Sequence, residues 1–203
     1  MPPAFHAMVV SLITGLFFFA LLAVLFRVLL QWRNTDPRAP LAVAADLGAL
    51  WSAVIGTVLI AGAVITGFAI WAPSAAINSP VMRNKFLTMT LLLVTYLIFI
   101  GIRWYVGPAL WRSRVLSGFY ALVAIAGFHW SMVTNSIGGD IAGIPSGYET
   151  IVRLSGVETR FTYYLPTWTL VTIAVLSIAM LVLAYTSAGR KEPAEDADTA
   201  AGR

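Results

Sequence analysis

Residues 7–31 read AMVVSLITGLFFFALLAVLFRVLLQ, a run carrying a single charge, Arg27, close to its end. A helix needs about 20 apolar residues to cross a hydrocarbon core, so this stretch spans a bilayer unaided. No Lys or Arg precedes it, no small-x-small cleavage site follows, and it exceeds the apolar centre of a secretory signal; it is therefore expected to be retained. Four more stretches meet that length or come close: 47–72, 86–106, 115–137 and 165–186. Because every backbone amide in lipid must be satisfied inside the protein, each of them is read as a helix. The expected fold is an all-α integral membrane bundle of five transmembrane helices.

The composition agrees. Of 203 residues 59% are hydrophobic and 11% charged, against about 25% charged in soluble domains. An alternating path puts Arg27, Arg33, Arg38, Arg103, Arg112, Arg114, Arg190 and Lys191 on one side, and Arg83, Lys85, Arg153 and Arg160 on the other. The richer side faces the cytoplasm, which places the N-terminus outside, the C-terminus in the cytoplasm and the protein in the cell membrane. The net charge of +4 is explained by this topology, and nucleic acid is not expected as a partner. The absence of cysteine excludes disulfides, thiolate-held iron–sulfur clusters, covalently attached haem and thiol redox pairs.

Residues 1–186 form one transmembrane domain, and the Ala-, Glu- and Asp-rich tail 187–203 lacks apolar periodicity and reads as disordered. Asn34 to Pro37 and Pro40 make a cytoplasmic loop that feeds the second helix at Leu47. Along that helix Gly48, Ser52, Gly56, Ala63 and Gly67 line up small residues that let backbones approach. Trp32, Trp104 and Trp111 at one interface, with Trp71, Trp130 and Trp168 at the other, read mostly as membrane anchors. Gly138-Gly139-Asp140 is expected to end the fourth helix. The external connection 138–164 then reads as a cap, with Ser146 to Glu149 spaced as a capping box for a short helix through Leu154 and an extended run at 157–163.

The chain has two histidines, His6 entering the first helix and His129 late in the fourth, both towards the outer face. Imidazole is a common ligand of haem iron, and an ionisable group inside a membrane is a functional-site hypothesis by default. The pair is read as a candidate metal site for one haem b, with Met132 or Met8 as a further axial ligand and Arg83, Lys85, Arg153 and Arg160 available to the propionates. The bland alternative is a neutral imidazole hydrogen-bonded to a carbonyl or threonine. Quinone or lipid is a further candidate ligand. Charges are absent from the helix centres, which gives a transporter no support, and no convincing nucleophile accompanies the histidines.

At Phe5-His6, Ala45-Asp46 with Trp51, Thr66-Gly67-Phe68 and Gly138-Gly139-Asp140, the chain resembles a bacterial multi-helix membrane domain family of unknown function. The five-helix count also resembles the cytochrome b membrane-anchor subunits of nitrate reductase and succinate dehydrogenase. That second resemblance implies electron transfer beside an external redox protein or other membrane subunits, and two histidines limit it to one haem. The expectation is a non-catalytic subunit of an oxidoreductase complex; the alternative is a cofactor-free structural or accessory subunit.

Overall fold

Three long helices begin on a proline, which has no amide proton to lose at a helix start and whose fixed φ already suits one. In a computed structural model, described for residues 3–72, 74, 78–144, 148–154, 172, 175, 176, 179 and 182, these are α1 (Pro3–Trp32), α2 (Pro40–Phe68) and α3 (Pro80–Val106). A 3-10 turn (Gly107–Arg112) leads into α4 (Arg114–Ile141), and a short α5 spans Glu149–Leu154. Ser79 caps α3 by accepting from the Met82 amide, and Ser113 caps α4 by accepting from the Leu116 amide. Pro40 is thus the first residue of α2 and not a break before it, so Asp46 lies inside that helix and is buried.

The five-helix reading is corrected to four. Four helices among the described residues are long and apolar enough to cross a membrane, and they form a four-helix, multi-pass bundle. In it α1 packs on α2 and α4, and α3 packs on α2 and α4, which makes a ring of the four described helices. Hydropathy counts segments able to partition into lipid and does not report which of them complete a core. The fifth stretch, 165–186, belongs from Pro166 onward to a second compact unit, Pro166–Arg203, and lies outside the described residues apart from five helical positions. Residues 157–163 and the tail 187–203 also lie outside them.

The end of α4 is also later than expected. Gly138, Gly139 and Asp140 are helical, and the helix stops at Ala142 and Gly143, the latter at φ 74°, where glycine carries no steric penalty. A Cβ at Gly139 would stand 2.5 Å from the Ile144 carbonyl oxygen, so this glycine lets the chain fold back over the helix terminus. Of the expected tryptophan anchors, Trp32, Trp71 and Trp104 face outward, whereas Trp111 and Trp130 are buried in the bundle. Trp168 lies outside the described residues.

The core is held by aromatic stacking. Phe17 of α1 stacks on Tyr96 of α3 with centroids 3.7 Å apart; Tyr96 meets Phe99 edge-on, Phe99 stacks on Tyr120 of α4 at 4.2 Å, and Tyr120 meets Trp111 edge-on. Each of these rings is at most 3% exposed. Of the small residues expected to admit close packing, Gly56 does so, since a Cβ there would lie 2.6 Å from the Phe17 ring; Gly127 of α4, not among those expected, plays the same part, with a Cβ 2.8 Å from Tyr96. Gly62, by contrast, has nothing within 4 Å. Gly56→Ala should therefore destabilise the bundle by about 1–3 kcal/mol through overpacking, while Gly62→Ala should be neutral or raise stability by about 0.5–1 kcal/mol. Thermal unfolding of the two variants in one detergent checks the contrast.

Candidate functional site

The end of the bundle formed by the N-termini of α1 and α3 and the C-termini of α2 and α4 holds most of the expected site residues. His6, half-buried on the first turn of α1, reaches α2, where its Nδ1 lies 2.9 Å from Thr66 Oγ1. Thr66 donates its hydroxyl proton back to the Gly62 or Ala63 carbonyl, at 2.9 and 3.1 Å. Its oxygen is left to accept, so the network assigns the proton to Nδ1 of His6 and a lone pair to Nε2. Gly67 provides the room: a Cβ there would sit 3.3 Å from His6 Cε1. The Thr-Gly pair at 66–67 is thus a seat for an imidazole.

His129 is held differently. Its Nδ1 lies 2.8 Å from the Tyr148 hydroxyl, and its ring meets Trp130 and Tyr148 at steep angles. Tyr148 precedes α5, and its hydroxyl thus meets α4 about 12 residues, roughly 18 Å, before the end of that helix. Partial burial of Tyr148 pushes its phenol above the usual tyrosine range, which keeps it protonated at neutral pH.

The two histidines do not face one another. Phe18 of α1 meets Phe128 of α4 with ring centroids 5.3 Å apart, and Gln31 bonds Ser117 further along the same antiparallel pair. This register sets His129 level with Phe17 and Phe18. His6 lies about 11 residues, or roughly 17 Å, further along the axis, a spacing repeated on α2 by Gly56 against Phe17 and Gly67 against His6. Two imidazoles on opposite sides of one iron need nitrogens only about 4 Å apart, given metal–nitrogen bonds near 2 Å. The pair therefore does not fit one bis-histidine haem. Met132 lies three residues from His129 on the same helix, on the same side, so the two cannot take opposite faces of a macrocycle. Met8 is 58% exposed on the outer surface of α1.

Of the cations expected near propionates, Arg83 and Lys85 lie at this end. Arg83 and Lys85 occupy the first turns of α3, Arg83 exposed and Lys85 half-buried, and Arg153 is exposed on α5. Arg160 lies outside the described residues. The Lys85 ammonium packs against Gly138, where a Cβ would be 3.2 Å from Nζ. Beside it Thr134 of α4 donates to Thr88 of α3, which donates to the Lys85 carbonyl. Among the described residues no three His, Cys, Asp or Glu side chains gather as a metal site.

The opposite end carries the groups that sequence reasoning missed. Arg103 of α3 grips Asp46 of α2 through Nε and Nη2, and both side chains are nearly buried. Arg27 is 1% exposed, with its Cζ 4.7 Å above the Trp111 ring. The signal for Asp46 was Pro40: a helix begun there carries the carboxylate into its second turn. No family model matches the chain, and no curated protein or solved structure does so either.

Tyr148→Phe removes the hydroxyl that fastens α5 to His129 and leaves the four-helix core untouched. Limited trypsinolysis at Arg153 should speed up several-fold while the unfolding midpoint of the bundle stays within a degree or two. Thr66→Val should behave in the opposite way, lowering global stability by about 1 kcal/mol because two long helices lose a hydrogen bond.

Proposed function

We propose that this multi-pass membrane protein is a cofactor-free, non-catalytic subunit of a larger membrane assembly. One observation carries the reading: each histidine is engaged in tying one segment of the chain to another, His6 to α2 and His129 to the segment before α5, at depths roughly 17 Å apart. Polar side chains at this end act as fasteners. His6–Thr66 joins α1 to α2, and Thr134–Thr88 joins α4 to α3. Outside the bundle the helices present broad apolar faces, including Phe19, Trp51, Val58 and Ile65, to lipid and to neighbouring helices.

A second reading, electron transfer through a single haem b beside a redox partner, has one observation in its favour. With the Thr66 hydroxyl donating to a backbone carbonyl, the His6 Nδ1–H donates to Thr66 Oγ1, which leaves Nε2 with the lone pair that a metal-ligating histidine uses. Such a haem would have this imidazole as its only histidine ligand, with quinone or an external protein as the exchange partner.

Visible spectra of the oxidised and dithionite-reduced protein, purified in mild detergent with a pyridine haemochrome assay, separate the two. The first reading expects no Soret band, migration in native gels as part of a larger assembly, a His6→Ala variant that loses about 1 kcal/mol and a His129→Ala variant that frees α5 as Tyr148→Phe does, neither with spectral change. Stoichiometric haem b that disappears in His6→Ala would establish the second reading in its place.

A further inference from the structure

At the arginine-rich end, α1, α2, α3 and the 3-10 turn enclose a partly open cavity of about 520 Å³. Four arginines, Arg27, Arg38, Arg103 and Arg112, and two aspartates, Asp36 and Asp46, are in its lining, so the formal charge is +4 − 2 = +2. The aspartates are already engaged. Asp46 accepts the forked hydrogen bonds of Arg103, and Asp36 accepts from the Arg38 amide. Arg103 is thereby neutralised, while Arg38 and Arg112 are exposed.

Arg27 makes no such fork, and the Asp46 charge that acts on it is already held by Arg103. It is 1% exposed, and its Nε and Nη1 are buried with no acceptor. Stacking on Trp111 supplies a π face and no hydrogen-bond acceptor, and the Trp111 Nε1 is itself buried and unpartnered. A buried guanidinium with unmet donors is costly when the nearest carboxylate, Asp46, is already taken by Arg103, and two sets of orphan donors lining one basic cavity call for an acceptor-rich anion. Phosphate oxygens suit a guanidinium fork, and the volume lies in the range of small-ligand sites, with room for a headgroup around the phosphate.

We propose that this cavity binds a phosphate group, with Arg27 and Trp111 as its inner donors and Arg38 and Arg112 as its outer cations. A phospholipid headgroup or a free phosphate compound supplies the same chemistry. The site is independent of the histidine end and of the proposed role of the chain.

The test follows thermal unfolding of the full-length protein in neutral detergent as phosphatidylglycerol, phosphatidylcholine or inorganic phosphate is added at matched ionic strength. Phosphatidylglycerol should raise the wild-type midpoint by several degrees and phosphatidylcholine should not. Arg27→Met, freed of a buried charge, should start above the wild type in detergent alone and gain nothing from phosphatidylglycerol. Arg38→Gln/Arg112→Gln changes exposed residues only; it should unfold like the wild type in detergent and bind phosphatidylglycerol about tenfold more weakly. A shift produced by inorganic phosphate alone, and lost in these variants, would assign the site to a free phosphate. Equal responses of wild type and double variant to every addition would overturn the proposal, including if Arg27→Met does not fold.

Discussion

The rest of the bundle depends on the continuous contact of Phe17, Tyr96, Phe99, Tyr120 and Trp111, which ends under the Arg27 guanidinium. In lipid, apolar side chains gain nothing by leaving solvent for one another, so helix association relies on close packing and on polar contacts between helices. Flat rings stacked across α1, α3 and α4 provide dispersion over large areas, and the glycines facing them bring the backbones near enough for the stack to form. The diagonal Phe17–Tyr96 contact crosses the ring of helices. That contact fixes the register on which both ends of the molecule depend.

With register set at the centre, the two ends become different chemical places. The end with His6 contains polar groups that satisfy one another, imidazole with threonine and threonine with threonine, and nearer the centre the His129 imidazole meets the Tyr148 phenol. Several threonines also return their hydroxyl protons to carbonyls of the preceding turn, which conceals polarity inside the helix. At the other end Arg103 and Asp46 neutralise each other across α2 and α3, and Gln31 bridges α1 to the Trp111 carbonyl and to Ser117. Arg27 stands beside these completed pairs with donors unmet.

The membrane class and the four described spans were legible because length and apolarity decide them residue by residue. Helix starts were not, since Pro3, Pro40 and Pro80 initiate helices here, whereas a reading by hydropathy took Pro40 for a break and placed the loop up to Lys85 outside α3. The same error hid Asp46. The fourth helix overran its Gly-Gly pair because those glycines serve close approach to Lys85 and Ile144, while Gly143 has the positive φ that ends the helix. The histidines were correctly singled out as unusual, and Thr66-Gly67 was noticed as a pair. That Thr66 and Gly67 seat His6 required the antiparallel register of α1 and α2, which no spacing within either segment encodes. A shared outer face likewise suggested that His6 and His129 meet, because face is set by topology and depth by register.

Depth also explains why charge was expected only at the margins. Arg27 is four residues from the end of its apolar stretch, and a long side chain there ordinarily snorkels to the interface. Here Trp111, carried inward by the 3-10 turn, covers that route and holds the guanidinium inside. The turn begins at Gly107, whose φ of 61° favours glycine, and Pro108 follows at once. A local backbone feature therefore decides whether an interfacial arginine serves as an anchor facing lipid headgroups or as a donor lining a cavity. In this chain Arg27 lines the cavity with Nε and Nη1 unmet, away from the histidines that first draw the eye.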